Sequence, residues 1–263
     1  MKNIFAVGVI ILFGLVSFAN AGIKTEEIEY SHDGTKLTGF LAFDDSTEKR
    51  PGVIVVHEWW GHNDHARNRA KMLAEAGYTA FALDMYGDGK LANHPKKAGE
   101  FMNAAFNNWP KSQARYNKAL EILKAHKTVD GTRIGSIGFC FGGAVSIKMA
   151  REGADLKGIV GFHSALPMEP AIKKNSMKSA VLIINGSEDG FLKPETVAAF
   201  SQEMFKSNVD FTYINLKGVK HSYTNPQADE FSKKFNIPAL QYNKKADEQA
   251  WSEMLGFFQR IFN

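Results

Sequence analysis

The sequence predicts an α/β protein: a mostly parallel central sheet with an antiparallel hairpin at its N-terminal side and helices on both faces. Three observations lead there. Short apolar runs rich in β-branched residues recur along the chain, helical periodicities fill the intervals between them, and two alternating segments precede the series. Strands buried on both faces lose the polar alternation of a half-wet sheet, so continuous apolar runs point to parallel strands covered by helices.

The alternating segments come first, around residues 28–30 and 37–43. Asp33-Gly34 separates them, a pair suited to the left-handed positions of a tight hairpin turn. Apolar strands are then expected at 52–56 (GVIVV), 79–83 (TAFAL), 133–139 (RIGSIGF), 156–162 (LKGIVGF), 180–185 (AVLIIN) and 211–216 (FTYINL). Asn63 or Asp64 can cap a helix that runs to Ala76 and stops at Gly77. Tyr116, Ala119, Leu120 and Leu123 share one face of another helix. Trp251, Met254, Leu255, Phe258 and Ile261 mark a terminal one. No repeat, low-complexity tract or linker-like run interrupts the pattern, so residues 22–263 read as a single domain.

Residues 1–21, MKNIFAVGVIILFGLVSFANA, have a different character. Lys2 gives a positive start, residues 4–18 are apolar and uncharged, and Ala19-Asn20-Ala21 fits the small-x-small cleavage pattern. This is the signature of a secretory signal peptide cut after Ala21, with an apolar core short for a membrane span. The mature chain is then expected to be periplasmic or secreted, with no membrane association once the signal is removed. At 44% hydrophobic and 23% charged the composition is that of an ordinary globular protein. The formal charge of +4 falls to +3 when Lys2 is removed, and no basic stripe with interleaved aromatics suggests a nucleic-acid partner. Cys140 is the single cysteine, so no intramolecular disulfide can form. A lone thiol in an oxidising compartment must be buried or used.

In parallel α/β sheets, chemistry gathers at the carboxyl ends of the strands. There the sequence places Gly138-Phe139-Cys140-Phe141-Gly142, at a strand-to-helix junction. This is G-x-C-x-G, the cysteine form of the nucleophile elbow, whose glycines let strand and helix pass closely around a strained central residue. The first amides of the helix and its dipole favour thiolate and can hold an oxyanion. A buried structural cysteine followed by packing glycines is the competing reading of these five residues alone. An elbow calls for an acid and then a histidine later in the chain. Asp189 sits in the Gly-Ser-Glu-Asp-Gly turn after the 180–185 strand, with Glu188 as a neighbouring substitute, and His221 lies in the late loop LKGVKHSYTNPQADE. Separately these are a turn former and a loop residue. In this order, at strand ends, they form a constellation.

With those residues in view, the chain resembles the dienelactone hydrolase family of α/β-hydrolases over nearly all of the mature sequence. The resemblance rests on His57-Glu58-Trp59-Trp60-Gly61, Asp84-Met85-Tyr86, the Cys140 elbow, Asp189, and His221-Ser222-Tyr223-Thr224-Asn225-Pro226. It implies an α/β-hydrolase fold and a small-molecule ester or lactone substrate, with no cofactor and no metal. It also implies a triad of Cys140 as nucleophile, His221 as general base and acid, and Asp189 orienting the imidazole. Glu58 would then contact the resting thiol and take part in its activation. By position in that fold, the oxyanion hole comprises the backbone N–H groups of Trp59 and Phe141. The arginines with which dienelactone hydrolases grip a substrate carboxylate have no evident counterpart: after His221 stands Ser222-Tyr223-Thr224-Asn225.

The stretch VVHEWWGHNDH, residues 55–65, invites a zinc reading, but H-E-x-x-H needs a second histidine one helical turn on, and that place is Gly61. His57, His62 and His65 are left as loop ligands or as exposed loop histidines. Trp59, Trp60, Phe139 and Phe141 are left as pocket walls or plain core. Two other classes compete with an esterase: a non-catalytic binding or stress-related protein on a hydrolase scaffold, and a thiol redox protein, which would lack a resolving cysteine.

Overall fold

The structure is a computed structural model that describes residues 22–45 and 48–263; the expected signal peptide, residues 1–21, lies outside the described residues. The described elements run β1 (Ile23–His32), β2 (Thr35–Asp44), β3 (Arg50–Val56), α1 (Asp64–Glu75), β4 (Thr79–Leu83), α2 (Pro95–Asn107), α3 (Trp109–Ala125), β5 (Val129–Phe139), α4 (Phe141–Arg151), β6 (Gly158–Phe162), β7 (Ala180–Gly186), α5 (Pro194–Lys206), β8 (Phe211–Leu216), α6 (Ala228–Phe235) and α7 (Lys244–Phe262). The strands form one sheet in the order β1-β2-β4-β3-β5-β6-β7-β8. β2 pairs antiparallel with β1 and with β4, and every later pairing is parallel.

The hairpin turns where the sequence said it would. Asp33 and Gly34 both have positive φ, 47° and 67°, and His32 faces Thr35 across the turn. β1 is the sheet edge and carries exposed Lys24, Glu26, Glu27 and Glu29, charges that discourage pairing with another chain. The central strands sort their side chains with a period of two. Ile54, Val56, Phe81, Leu83, Val181 and Ile183 enter the core under α3, α4 and α5. Their neighbours Val53, Val55, Ala80, Ala82, Leu182 and Ile184 enter the core under α1 and α7. Both faces are therefore covered, and each large apolar side chain removed from water contributes about 1.5–3 kcal/mol.

The expected elements are present, with shifted ends. β5 starts at Val129 rather than 133, and β6 at Gly158 rather than 156. Asn63 occupies the N-cap of α1 without a side-chain cap bond, and Gly77 ends that region with φ 92°. Tyr116, Ala119 and Leu123 are fully buried on α3, as are Met254 and Phe258 on α7, while Trp251, Leu255 and Ile261 are half-buried. The sequence reading did not single out α2. This helix begins at Pro95, capped by the His94 ring accepting from the Lys96 amide, and its Met102 and Phe106 line a cavity together with Cys140.

Candidate active site

The elbow is built by backbone geometry. Cys140 follows β5 and sits at the N-cap of α4 with φ 54° and ψ −114°, a left-handed conformation costing a non-glycine residue roughly 1–3 kcal/mol. Its amide donates to the Phe162 carbonyl at 3.0 Å, tying the turn to the next strand. The flanking glycines are a steric requirement. A Cβ on Gly138 would lie 2.1 Å from the Gly142 carbonyl oxygen, and one on Gly142 would lie 2.2 Å from the Val56 carbonyl oxygen. The half-buried sulfur thus stands at the carboxyl rim between β3 and β6.

Asp189 and His221 meet at the same rim. Asp189 lies in the turn after β7, where its Oδ1 accepts from the Phe191 amide at 3.0 Å and its Oδ2 accepts from His221 Nδ1 at 2.7 Å. The His221 backbone is clamped between Ala239 and Gln241, at 3.0 and 3.1 Å. With Nδ1 committed to Asp189, the rest of the ring is left to the cavity that His221 lines together with Cys140. Burial alone would lower the His221 pKa. Attraction to Cys140 and the bond to Asp189 outweigh it and push the value up to about 10. Glu188, the neighbouring acid, is exposed, and its amide is held by the Val219 carbonyl.

The turn after β3 faces the elbow and is braced from beneath. His57 Nε2 accepts from the Met85 amide at 3.3 Å, which leaves the proton on Nδ1 to be donated to the Glu58 carbonyl at 2.5 Å. Tyr86 donates its hydroxyl to the Trp59 carbonyl at 3.0 Å. Asp84 in turn fixes the Tyr86 and Gly87 amides, at 2.9 and 2.8 Å. Among the described residues, neither the Trp59 nor the Phe141 N–H is taken by a protein acceptor. Cys140 and His221 open onto a cavity of about 210 Å³ walled by Trp59, Met102, Phe106 and Phe191. Phe141 joins that wall. Phe139 does not: it stacks on Phe162 in the core, centroids 4.9 Å apart, and Trp60 packs against Phe231 at 4.5 Å.

The dienelactone hydrolase family model matches residues 37–262. The chain belongs to the dienelactone hydrolase family. It is 31% identical to a dienelactone hydrolase-like promiscuous phosphotriesterase from metagenomic libraries, covering 92% of this chain and 99% of that one with a TM-score of 0.82. It is 35% identical to the structure named m3DLH over the same shares, with a TM-score of 0.85. Protein usf of Aquifex pyrophilus is 29% identical over 239 residues, 88% of this chain and 96% of the relative. Membership of the dienelactone hydrolase family makes the chain a hydrolase of the class that opens ester and lactone bonds.

Within this family member, Glu58 bonds elsewhere than expected. Its Oε1 accepts from Ser222 Oγ at 2.9 Å and its Oε2 from Asn225 Nδ2 at 2.5 Å, so its hydrogen bonds run to the His221 loop rather than to the sulfur. Burial pushes the Glu58 carboxyl above its ordinary range, and the two donors pull the other way. The histidines of residues 55–65 are not exposed loop residues. His57, His62 and His65 are all buried, and among the described residues no three His, Cys, Asp or Glu side chains are placed to hold a metal ion. Burial depresses His62 and His65 to about 3, so both are neutral.

The sequence reading missed the polar belt behind His221. The Thr224 carbonyl accepts from Arg69 Nη2 at 2.5 Å and from His65 Nε2 at 3.2 Å, while the Thr224 hydroxyl meets His163 Nε2 at 2.8 Å. Arg69 also pairs with Asp247 at 2.7 Å, which ties α1, α7 and the His221 loop together. The His163 ring lies edge-on to His221 at 5.0 Å. Only one signal in the sequence pointed to His163: its place just past the β6 strand end.

Proposed function

We propose that the protein hydrolyses a small carboxylic ester or lactone through a thioester on Cys140, with His221 and Asp189 completing the triad. The observation that carries the reading is the convergence of the elbow sulfur with an imidazole whose far nitrogen is held 2.7 Å from a buried carboxylate. In acylation the Cys140 sulfur bonds to the carbonyl carbon, and the carbonyl electron pair moves onto oxygen. The Trp59 and Phe141 amides receive that oxyanion. On collapse the C–O bond to the leaving alkoxide breaks, and His221 delivers the proton the alkoxide needs; in a lactone that alkoxide stays tethered to the acyl group. His221 then takes a proton from water as the water oxygen attacks the thioester. The C–S bond breaks, the carboxylic acid leaves, and the sulfur returns to its starting state. The raised pKa of His221 fits this sequence, because a protonated ring is the form that can serve the departing alkoxide.

Export of residues 22–263 after cleavage at Ala21 belongs to the same proposal and is supported by the apolar opening alone. The test is a panel of p-nitrophenyl esters and small unsubstituted lactones, with intact-mass detection of the acyl adduct. Turnover with an adduct on Cys140, and its loss by ~10⁴-fold or more in Cys140→Ala, is the expected result. Full turnover without the sulfur would overturn the thioester reading, and no turnover of any ester or lactone by the unaltered protein would leave only the scaffold reading.

A further inference from the structure

We infer that the cavity beside Cys140 selects neutral, apolar acyl groups and rejects substrates that carry a carboxylate on the acyl chain; this names a substrate class for the hydrolytic reading above and rests on it. The walls come from four places. α2 supplies Met102 and Phe106, α4 supplies Ala144, the loop after β7 supplies Phe191 and Leu192, and the α6–α7 loop supplies Leu240.

Apart from the Trp59 and Phe141 N–H groups, assigned above to the oxyanion, the polar side chains of Ser164, Asp189 and His221 in the wall already have partners. His221 Nδ1 is held by Asp189. Ser164 donates its hydroxyl to the Ala165 carbonyl at 2.6 Å and its amide to Asn185 Oδ1 at 2.8 Å. Among the described residues no lysine or arginine lines the cavity, and the one carboxylate that does, Asp189, carries the wrong sign to accompany an anion. An acyl-chain carboxylate bound there would leave water with no cation to meet it, a loss that apolar contacts do not replace.

Cations near α2 serve another place. Lys90, Lys111 and Arg115 line a separate cleft of about 270 Å³ between α2 and α3, whose walls share no residue with the cavity of Cys140. Arg115 points its Nη1 at the Met85 carbonyl, at 2.7 Å. Where the resemblance would set a carboxylate-gripping arginine after the catalytic histidine, Asn225 is buried and gives its amide to Glu58. The ring of Phe191, 56% exposed and 4.9 Å from His221, extends the apolar wall to the mouth.

Two matched ligand pairs test this on the unaltered protein. The first compares kcat/KM for p-nitrophenyl butyrate and methyl p-nitrophenyl succinate with that for mono-p-nitrophenyl succinate, which adds a carboxylate at the end of the acyl chain. Both neutral esters should exceed the anion by roughly a hundredfold or more. A gap smaller than about tenfold overturns the inference, since an unpaired buried carboxylate cannot be that cheap. The second pair reads binding without turnover: butyrophenone against 3-benzoylpropanoate, the same phenyl ketone ending in methyl or carboxylate, by ligand-observed NMR. Preference for butyrophenone supports the inference even if no ester is cleaved, in which case the hydrolytic reading alone falls. Equal binding of the two ketones, or none of the neutral one, overturns the inference whatever the esters do.

Discussion

His221 divides two unlike regions. On one side lies the cavity, walled almost wholly by apolar side chains; on the other lies the belt of Glu58, Ser222, Asn225, Thr224, His65, His163, Arg69 and Asp247. The polar groups hold the loop, and the apolar groups face whatever is bound. The difference teaches a division of labour. A buried polar group is costly unless fully paired, but once paired it fixes geometry more sharply than apolar packing can. Here such pairing is concentrated where a ring must be aimed, and kept out of the space where a substrate must fit.

The contrast can be broken from the polar side with the largest effect. Asp189→Asn should lower kcat by ~10³–10⁴-fold while leaving the fold intact, because the ring loses its orienting carboxylate; steady-state kinetics beside thermal melting would show it. The His221 ring, beside Cys140 and bonded to Asp189, also gives a pH dependence. Folding raises the His221 pKa from the ordinary 6.5 to about 10, so the stability it contributes is fully present below about 6.5 and is lost as pH rises through about 10. Melting temperature in wild type should fall across that window, and Asp189→Asn should flatten the slope. A smaller effect is expected from Glu58→Ala, which strands the Ser222 hydroxyl and the Asn225 amide at about 1–3 kcal/mol each. Denaturant unfolding should register that loss, and Glu58→Gln should recover part of it because one amide oxygen still accepts. If Cys140 alkylation rates in Glu58→Gln match wild type at every pH, Glu58 acts through the loop and not on the thiol. The smallest change is Tyr86→Phe, which removes one hydroxyl from the Trp59 carbonyl and should cost kcat roughly three- to tenfold with KM for a neutral ester little altered.

Some of this was legible from local order along the chain. The strand series, the Asp33-Gly34 turn and the buried faces of α3 and α7 follow from side-chain period and turn chemistry, which act over a few residues. The elbow is local too, because the clash that Gly138 and Gly142 avoid lies within its own strand-turn-helix unit and the adjoining strand. His57 was harder: a histidine closing a strand looks like a ligand or a surface residue, and its role as a brace depends on the Met85 amide from another strand's loop. Glu58 was harder for the same reason, since its place in the chain gives no clue to the direction of its oxygens.

The sequence by itself determined the order of strands and helices, the position of the strained cysteine, and the chain order of acid and histidine. Those features are encoded by neighbours a few bonds apart, where propensity and periodicity decide. Only the tertiary structure decided that Glu58 meets Ser222 and Asn225, that Arg69, itself paired with Asp247, donates to the Thr224 carbonyl, and that among the described residues no lysine or arginine lines the cavity. Those pairings join residues more than a hundred positions apart. Their geometry is set by how the helices pack on the sheet, which no local pattern records.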